Sequence, residues 1–282
     1  MTIKMWKLWR EEREQAARRG GRENGDSPLS HPSGMRIIAV ANHKGGVGKT
    51  TSCLNLAFAL AAQGKKVLMM DLDPQAALTY SCGLEPEKLK HTVVHCLIEG
   101  LPLLDVLREV QLGIWLIPAN PQLAVAELDL ERKSRRTLRN RLEDLAFDFF
   151  CHFCLIDCPP SLNLLTINAL TASDEVLIPF EPEFLSLRGV SMLFETVERA
   201  RTLNQKLKVL GVLPTQYDSR LLHHGAVIET MREQVKGKTK LFAPIPRSIR
   251  FAESQLAKKT MLQFAPESKG ARAYHELAEQ LI

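Results

Sequence analysis

Residues Arg36-Ile37-Ile38-Ala39-Val40-Ala41-Asn42-His43-Lys44-Gly45-Gly46-Val47-Gly48-Lys49-Thr50-Thr51 decide the fold. The run at 36 to 40 is apolar enough for a buried strand, and Ser52 to Leu60 repeats apolar residues at helical spacing, so the segment between them is a strand-to-helix turn. With three glycines it is a phosphate loop. Its backbone can curl until successive N–H groups point inward, and the following helix adds the positive end of its dipole. Lys49 then reaches the β- and γ-phosphates of a nucleotide, and the Thr50 hydroxyl ligates magnesium.

Working outward, Lys65 to Met70 supplies a second buried strand that ends in Asp71-Leu72-Asp73-Pro74-Gln75. A third, over 149 to 157, ends in Asp157-Cys158-Pro159-Pro160. Parallel sheets gather ligands at the carboxyl ends of their strands, so Asp71, Asp73 and Asp157 emerge beside the loop. An apolar strand closed by an aspartate is the form that holds magnesium, usually through water. Asp71 and Asp73 could instead cap the next helix through Gln75 and Ala76. Further strands at 113 to 118, 175 to 180 and 208 to 214 alternate with helices at 92 to 98, 101 to 110, 187 to 203, 222 to 235 and 271 to 282. That alternation predicts an α/β fold, a doubly wound, mostly parallel sheet flanked by helices, with no second domain of comparable size.

The totals agree with a soluble globular chain of 282 residues, 45% hydrophobic and 24% charged, long enough to bury a large core. A net charge of +5 permits an anionic partner without requiring one. No apolar run is long enough to span a bilayer, and charges stand where a signal peptide has its apolar core, so a cytoplasmic location is expected. Residues 1 to 34 form a basic extension and linker ahead of a domain over 35 to 282. The extension could be a helix carrying Trp6 and Trp9 that touches an acidic surface, a membrane or a partner, or a frayed terminus. The six cysteines show no framework spacing. Cys151 and Cys154 are expected on one buried strand, facing opposite sides, and therefore reduced rather than metal-bound. The run 131 to 141, with six basic residues, is expected on a helix, as a solvated face or a nucleic-acid contact.

The loop departs from G-x-x-x-x-G-K-[ST] by placing His43 where glycine stands and adding Lys44. It resembles the deviant Walker A motif, K-G-G-x-G-K-T, of the ParA/MinD family of dimeric ATPases, and the similarity extends over most of residues 35 to 282. The resemblance implies that ATP and magnesium are held by Lys44, Gly45, Gly46, Val47, Gly48, Lys49, Thr50 and Thr51, with Lys44 crossing to the phosphates of the other subunit. It implies a first switch at D-x-D-P-Q, where Asp73 positions the attacking water and Asp71 helps organise the metal site with Thr50 and Asp157. Asp157-Cys158-Pro159-Pro160 resembles the second switch. Thr215-Gln216-Tyr217-Asp218-Ser219-Arg220 and Ile245-Pro246-Arg247-Ser248-Ile249-Arg250 are similar to segments of Soj-like ParA proteins. That similarity puts Pro246 and Arg247 near the adenine and Arg220 and Arg250 on DNA, where guanidinium groups suit a phosphate backbone read without sequence. His223-His224 and Lys258-Lys259 could extend the patch, and no metal site follows from them. The implied function is a positioning ATPase on the nucleoid: the ATP-bound homodimer binds DNA non-specifically, and a ParB-like or other cargo adaptor stimulates hydrolysis. A membrane-cycling MinD-like ATPase is the rival reading. An electron carrier like the nitrogenase iron protein would need interfacial cysteines, which the scattered ones here do not supply.

Overall fold

The computed structural model describes residues 34 to 282, so the helix expected within the extension lies outside the described residues. The chain runs β1 (Arg36–Val40), α1 (Lys49–Ala62), β2 (Val67–Asp71), α2 (Ala77–Ser81), α3 (Val93–Ile98), α4 (Leu103–Val106), β3 (Arg108–Gln111) and β4 (Ile114–Ile117). It continues through α5 (Gln122–Leu130), α6 (Thr137–Asp148), β5 (Phe153–Asp157), α7 (Leu164–Ala172), β6 (Glu175–Phe180), α8 (Phe184–Ala200), β7 (Lys208–Pro214) and α9 (Leu222–Val235). It ends with β8 (Lys240–Leu241), α10 (Arg250–Leu256), α11 (Met261–Phe264) and α12 (Lys269–Glu279).

The strands form one sheet in the order β3-β4-β2-β5-β1-β6-β7-β8, parallel except for the β3–β4 pair. Every residue of β2 and β5 is buried, as expected of strands covered on both faces. Alternate residues serve opposite layers. Ile38, Val40, Met69 and Leu155 pack under α1 and α12 with Leu56, Leu60, Tyr274 and Leu277. Ile37, Ala39, Met70 and Ile156 pack with Leu138, Leu165 and Leu193 from the helices of the other face. The doubly wound α/β expectation holds.

Three local expectations do not. The stretch 101 to 110 is a short helix followed by an edge strand, because Arg108 to Gln111 turns back antiparallel on β4. The strand expected from 149 begins at Phe153, so Cys151 precedes it and joins Cys154 in the same core layer, its sulfur 3.1 Å from that of Met35. All six cysteines are free, and burial pushes the Cys151 thiol up to about 12. Residues 131 to 136 are turns, with the helix starting only at Thr137.

Candidate nucleotide site and its basic flank

Strand register assembles the site. Val40 pairs with Asp157 and Asp71 pairs with Asp157, so the ends of β1, β5 and β2 lie side by side and deliver the phosphate loop and both aspartates to one edge of the sheet. The loop needs glycine at two points, Gly46 at φ 74° and Gly48 at φ 80°, where a side chain would be strained. Gly48 also caps α1 without any side-chain acceptor, and no acidic residue lies in the first helical turn. Free N–H groups of a helix start with no local anion suit a phosphate.

A cavity of about 580 Å³ opens over this loop and is lined by Gly45, Gly46, Gly48, Lys49, Thr50, Thr51, Asp73, Pro246 and Arg247, among others. Pro246 and Arg247 thus come to the same cavity as the phosphate loop. Val47 is buried, as are Asp71 and Asp157 below the cavity floor. The Lys49 amine donates to the Lys44 carbonyl at 3.1 Å, and the residue as a whole is buried. Burial lowers its pKa, with Asp157 and Asp73 opposing. Lys44 turns outward instead: 41% of its side chain is exposed, and its amine lies 3.4 Å from Glu181.

The aspartates divide their tasks. Asp71 is saturated by the protein, one oxygen accepting from the Asp73 N–H and the other from the Thr79 N–H and hydroxyl, at 2.7 to 3.1 Å. It organises the floor rather than offering a free oxygen. Burial pushes its carboxyl up to about 6. Asp73 caps the next turn through the Gln75 N–H at 2.9 Å while still lining the cavity. Asp157 differs, since neither of its buried oxygens accepts a hydrogen bond. Burial first, and then the Asp71 charge, push its carboxyl well above the usual range; the nearby Thr50 hydroxyl and Lys49 pull the other way. Two orphaned carboxylate oxygens beside a threonine hydroxyl fit a hard divalent cation, which takes oxygen donors and removes the cost of burying the charge.

Around the loop stand residues that sequence reasoning missed. Asn42 holds the loop to β6 through the Pro179 carbonyl at 2.7 Å and receives the Lys44 N–H at 3.0 Å. His43 packs on Gly189 so closely that a Cβ there would run into its ring. Burial, and then Lys49, lower the His43 pKa, so the ring is neutral at pH 7. Tyr274 and Ser52 share a buried hydrogen bond of 3.1 Å that ties α12 to α1. Only the loop-to-strand tie had a sequence signal, an asparagine just before the glycines.

A basic flank begins where Pro246 and Arg247 line both the cavity over the loop and a second one. Arg250 is exposed, and its guanidinium makes no hydrogen bond or ion pair among the described residues; it lines the second cavity, of about 610 Å³, with Arg247 and Lys269. Arg220 is also exposed but donates to both oxygens of Asp218, at 2.9 and 2.6 Å, holding that carboxyl far below the usual range. Glu183, His223 and His224 bring three ligand atoms together. A metal is nevertheless a poor fit. The Asp218 N–H donates to His224 Nδ1 at 3.1 Å, so the proton sits on Nε2, the atom a metal would need. The other basic run is largely structural: Lys133 donates to Ile98 O, Arg136 to Leu203 O and Arg141 to Cys96 O, leaving Arg132 and Arg135 exposed on the turn. No helix among the described residues is long and apolar enough to cross a membrane.

The profile of an AAA domain family matches residues 35 to 209. The chromosome-partitioning ATPase Soj of Thermus thermophilus is 42% identical over 249 residues, 88% of this chain and 96% of that protein. The chromosome partitioning protein ParA of Caulobacter vibrioides is 38% identical over 252 residues, 88% and 94% of the two. Among solved structures, a cobyrinic acid a,c-diamide synthase from Mycobacterium smegmatis with bound ADP and magnesium superimposes with a TM-score of 0.76 at 39% identity, covering 88% of this chain and 94% of that one. With that site geometry and relatives of this identity along nearly its whole described length, the chain belongs to the ParA/MinD family of P-loop ATPases.

Proposed function

We propose that this chain hydrolyses ATP with magnesium as a partition-type switch. The ATP-bound homodimer binds nucleoid DNA without sequence preference, and a ParB-like or other cargo adaptor stimulates hydrolysis and release. The observation that carries the reading is the division between two lysines. Lys49 is buried in its own loop, whereas Lys44 stands half-exposed at the mouth, where a second subunit's triphosphate would meet it.

The residues then fall into roles. Inward N–H groups of Gly45 to Thr51 and the Lys49 ammonium hold the phosphates, and Pro246 and Arg247 flank the base. When bound between Thr50 and Asp157, magnesium supplies positive charge to the phosphate oxygens. Asp73, on the cavity wall, accepts a hydrogen bond from the attacking water and so orients it. Asp71 fixes the turn that carries Asp73. Arg250, exposed and unpaired among the described residues, contacts DNA phosphates, and Arg220 does so in competition with Asp218. The synthase named above also binds ADP and magnesium, but a diamide synthase activity gives no account of these arginines.

The test is light scattering with a non-cleavable ATP analogue and magnesium, alone and with a random DNA duplex. A dimer that binds DNA only with nucleotide is expected; a monomer at saturating nucleotide overturns the reading.

A further inference from the structure

Thr215 and Gln216 open the turn that carries Arg220, and both reach back to the phosphate loop. The Thr215 hydroxyl donates to the Val47 carbonyl at 2.8 Å, and the Gln216 amide donates to the Gly46 carbonyl at 2.7 Å. These contacts follow from the loop's chemistry. Turning successive N–H groups inward turns the intervening carbonyls outward, and an outward carbonyl needs a donor. Gln216 meets that need from a left-handed backbone, φ 53°, which a residue with a side chain adopts only when its surroundings hold it there.

The connection continues beyond the clasp. Tyr217 bridges in parallel to Pro246, its N–H donating to Ile245 O at 3.0 Å and its carbonyl accepting from Arg247 N–H at 2.8 Å. One hydrogen-bonded run therefore joins the phosphate loop to the turn bearing Arg220 and to the segment that leads into Arg250. Both arginines are exposed at its outer end.

We propose that Thr215 and Gln216 are a nucleotide-sensing clasp: phosphate in the loop fixes the carbonyls of Gly46 and Val47, and through them the presentation of Arg220 and Arg250 within a single protomer. The inference rests on the nucleotide-dependent DNA binding proposed above and adds a second source of it besides dimerisation. Phosphate fixes the N–H groups on one side of these peptides and so fixes the carbonyls on the other. By reciprocity, DNA held by the arginines favours the occupied loop.

Gln216→Gly tests it, because glycine takes φ 53° without strain, and the donor is lost together with the small stretch of cavity wall that the side chain supplies. Gly46 is exposed, so water replaces the amide, and affinity for a fluorescent ATP analogue should stay within about threefold. Thermal unfolding and analogue-driven dimerisation should match the parent, while the gain in DNA affinity on adding nucleotide falls by at least about fivefold. Thr215→Ser, which keeps the hydroxyl, should behave as the parent. A smaller fall, or a fall accompanied by loss of the dimer, overturns the clasp and leaves the function standing. A parent chain whose DNA affinity does not respond to nucleotide overturns both. Should the glycine variant fail to fold, Gln216→Asn, tolerated in left-handed backbone but one methylene short of Gly46, is held to the same outcomes.

Discussion

Asp157 is a fully buried carboxyl with two unpartnered oxygens, an arrangement that costs the empty chain stability. Replacing it with the neutral, equally sized asparagine should raise the unfolding free energy of the nucleotide-free protein by roughly 1–3 kcal/mol. The same variant should lose the further stabilisation that nucleotide and magnesium give the parent, and melting curves with and without both ligands read the two effects. The pH dependence has a definite sign. Asp157 and Asp71 are raised by burial, Asp71 to about 6, so the folded chain keeps protons that the unfolded chain releases. Their favourable contribution is complete below the ordinary carboxylate range, near pH 4, and is lost as pH rises through the folded-state values. The stability advantage of Asp157→Asn over the parent should therefore widen from about pH 4 to pH 8. An advantage constant across that range would mean that Asp157 ionises as freely as a surface carboxyl. Magnesium needs the charged form, so its stabilising effect on the parent should grow in the same direction.

At the scale of elements, α8 and the phosphate loop interlock through Gly189 and His43. A methyl group at Gly189 has no room beside the ring, and overpacking of this kind costs about 1–3 kcal/mol. Since His43 directly precedes the lysine and glycines of the loop, Gly189→Ala should weaken binding of a fluorescent ATP analogue by tenfold or more, about 1.4 kcal/mol or above. Unchanged affinity would show that the loop is insulated from α8. Such a contact could not be read in the sequence, where the two residues are far apart and nothing about His43, though it stands where the loop pattern has glycine, points to Gly189. The same holds for Thr79, whose hydroxyl fixes Asp71 from the following helix, and for the tie between Thr215 and Val47 across 168 positions. What was legible was local: the glycine-lysine loop, the aspartates closing apolar strands, and the alternation of strands with helices. The stretch 101 to 110 misled because β3 is an exposed-edge strand of four residues with alternating burial. So short an alternation, following a leucine-rich run, cannot be separated from a helix by periodicity.

On the function proposed above, the whole molecule would gain DNA affinity by doubling. Each protomer carries Arg220 and Arg250 exposed, and two such patches in the proposed dimer would act at an effective concentration in the millimolar range, which multiplies two weak contacts. Lys44→Ala should leave nucleotide binding near its parent value, because Lys49 remains in the loop, while the dimer and with it DNA binding are lost. Asp73→Ala should do the reverse, keeping the dimer on DNA by removing the carboxylate that orients water. Salt dependence separates the contributions. Binding through phosphates releases about 0.9 counterions per contact, so two arginines from each of two protomers should give a slope of log K against log salt near −3.6. Arg250→Glu removes one contact per protomer and adds repulsion, and its residual slope should fall to about −1.8 or shallower while ATP hydrolysis continues. A variant slope equal to that of the parent would mean that Arg250 faces DNA without touching it, and the basic flank would have to be sought among the remaining cations, beginning with Lys269, which shares a cavity with Arg250.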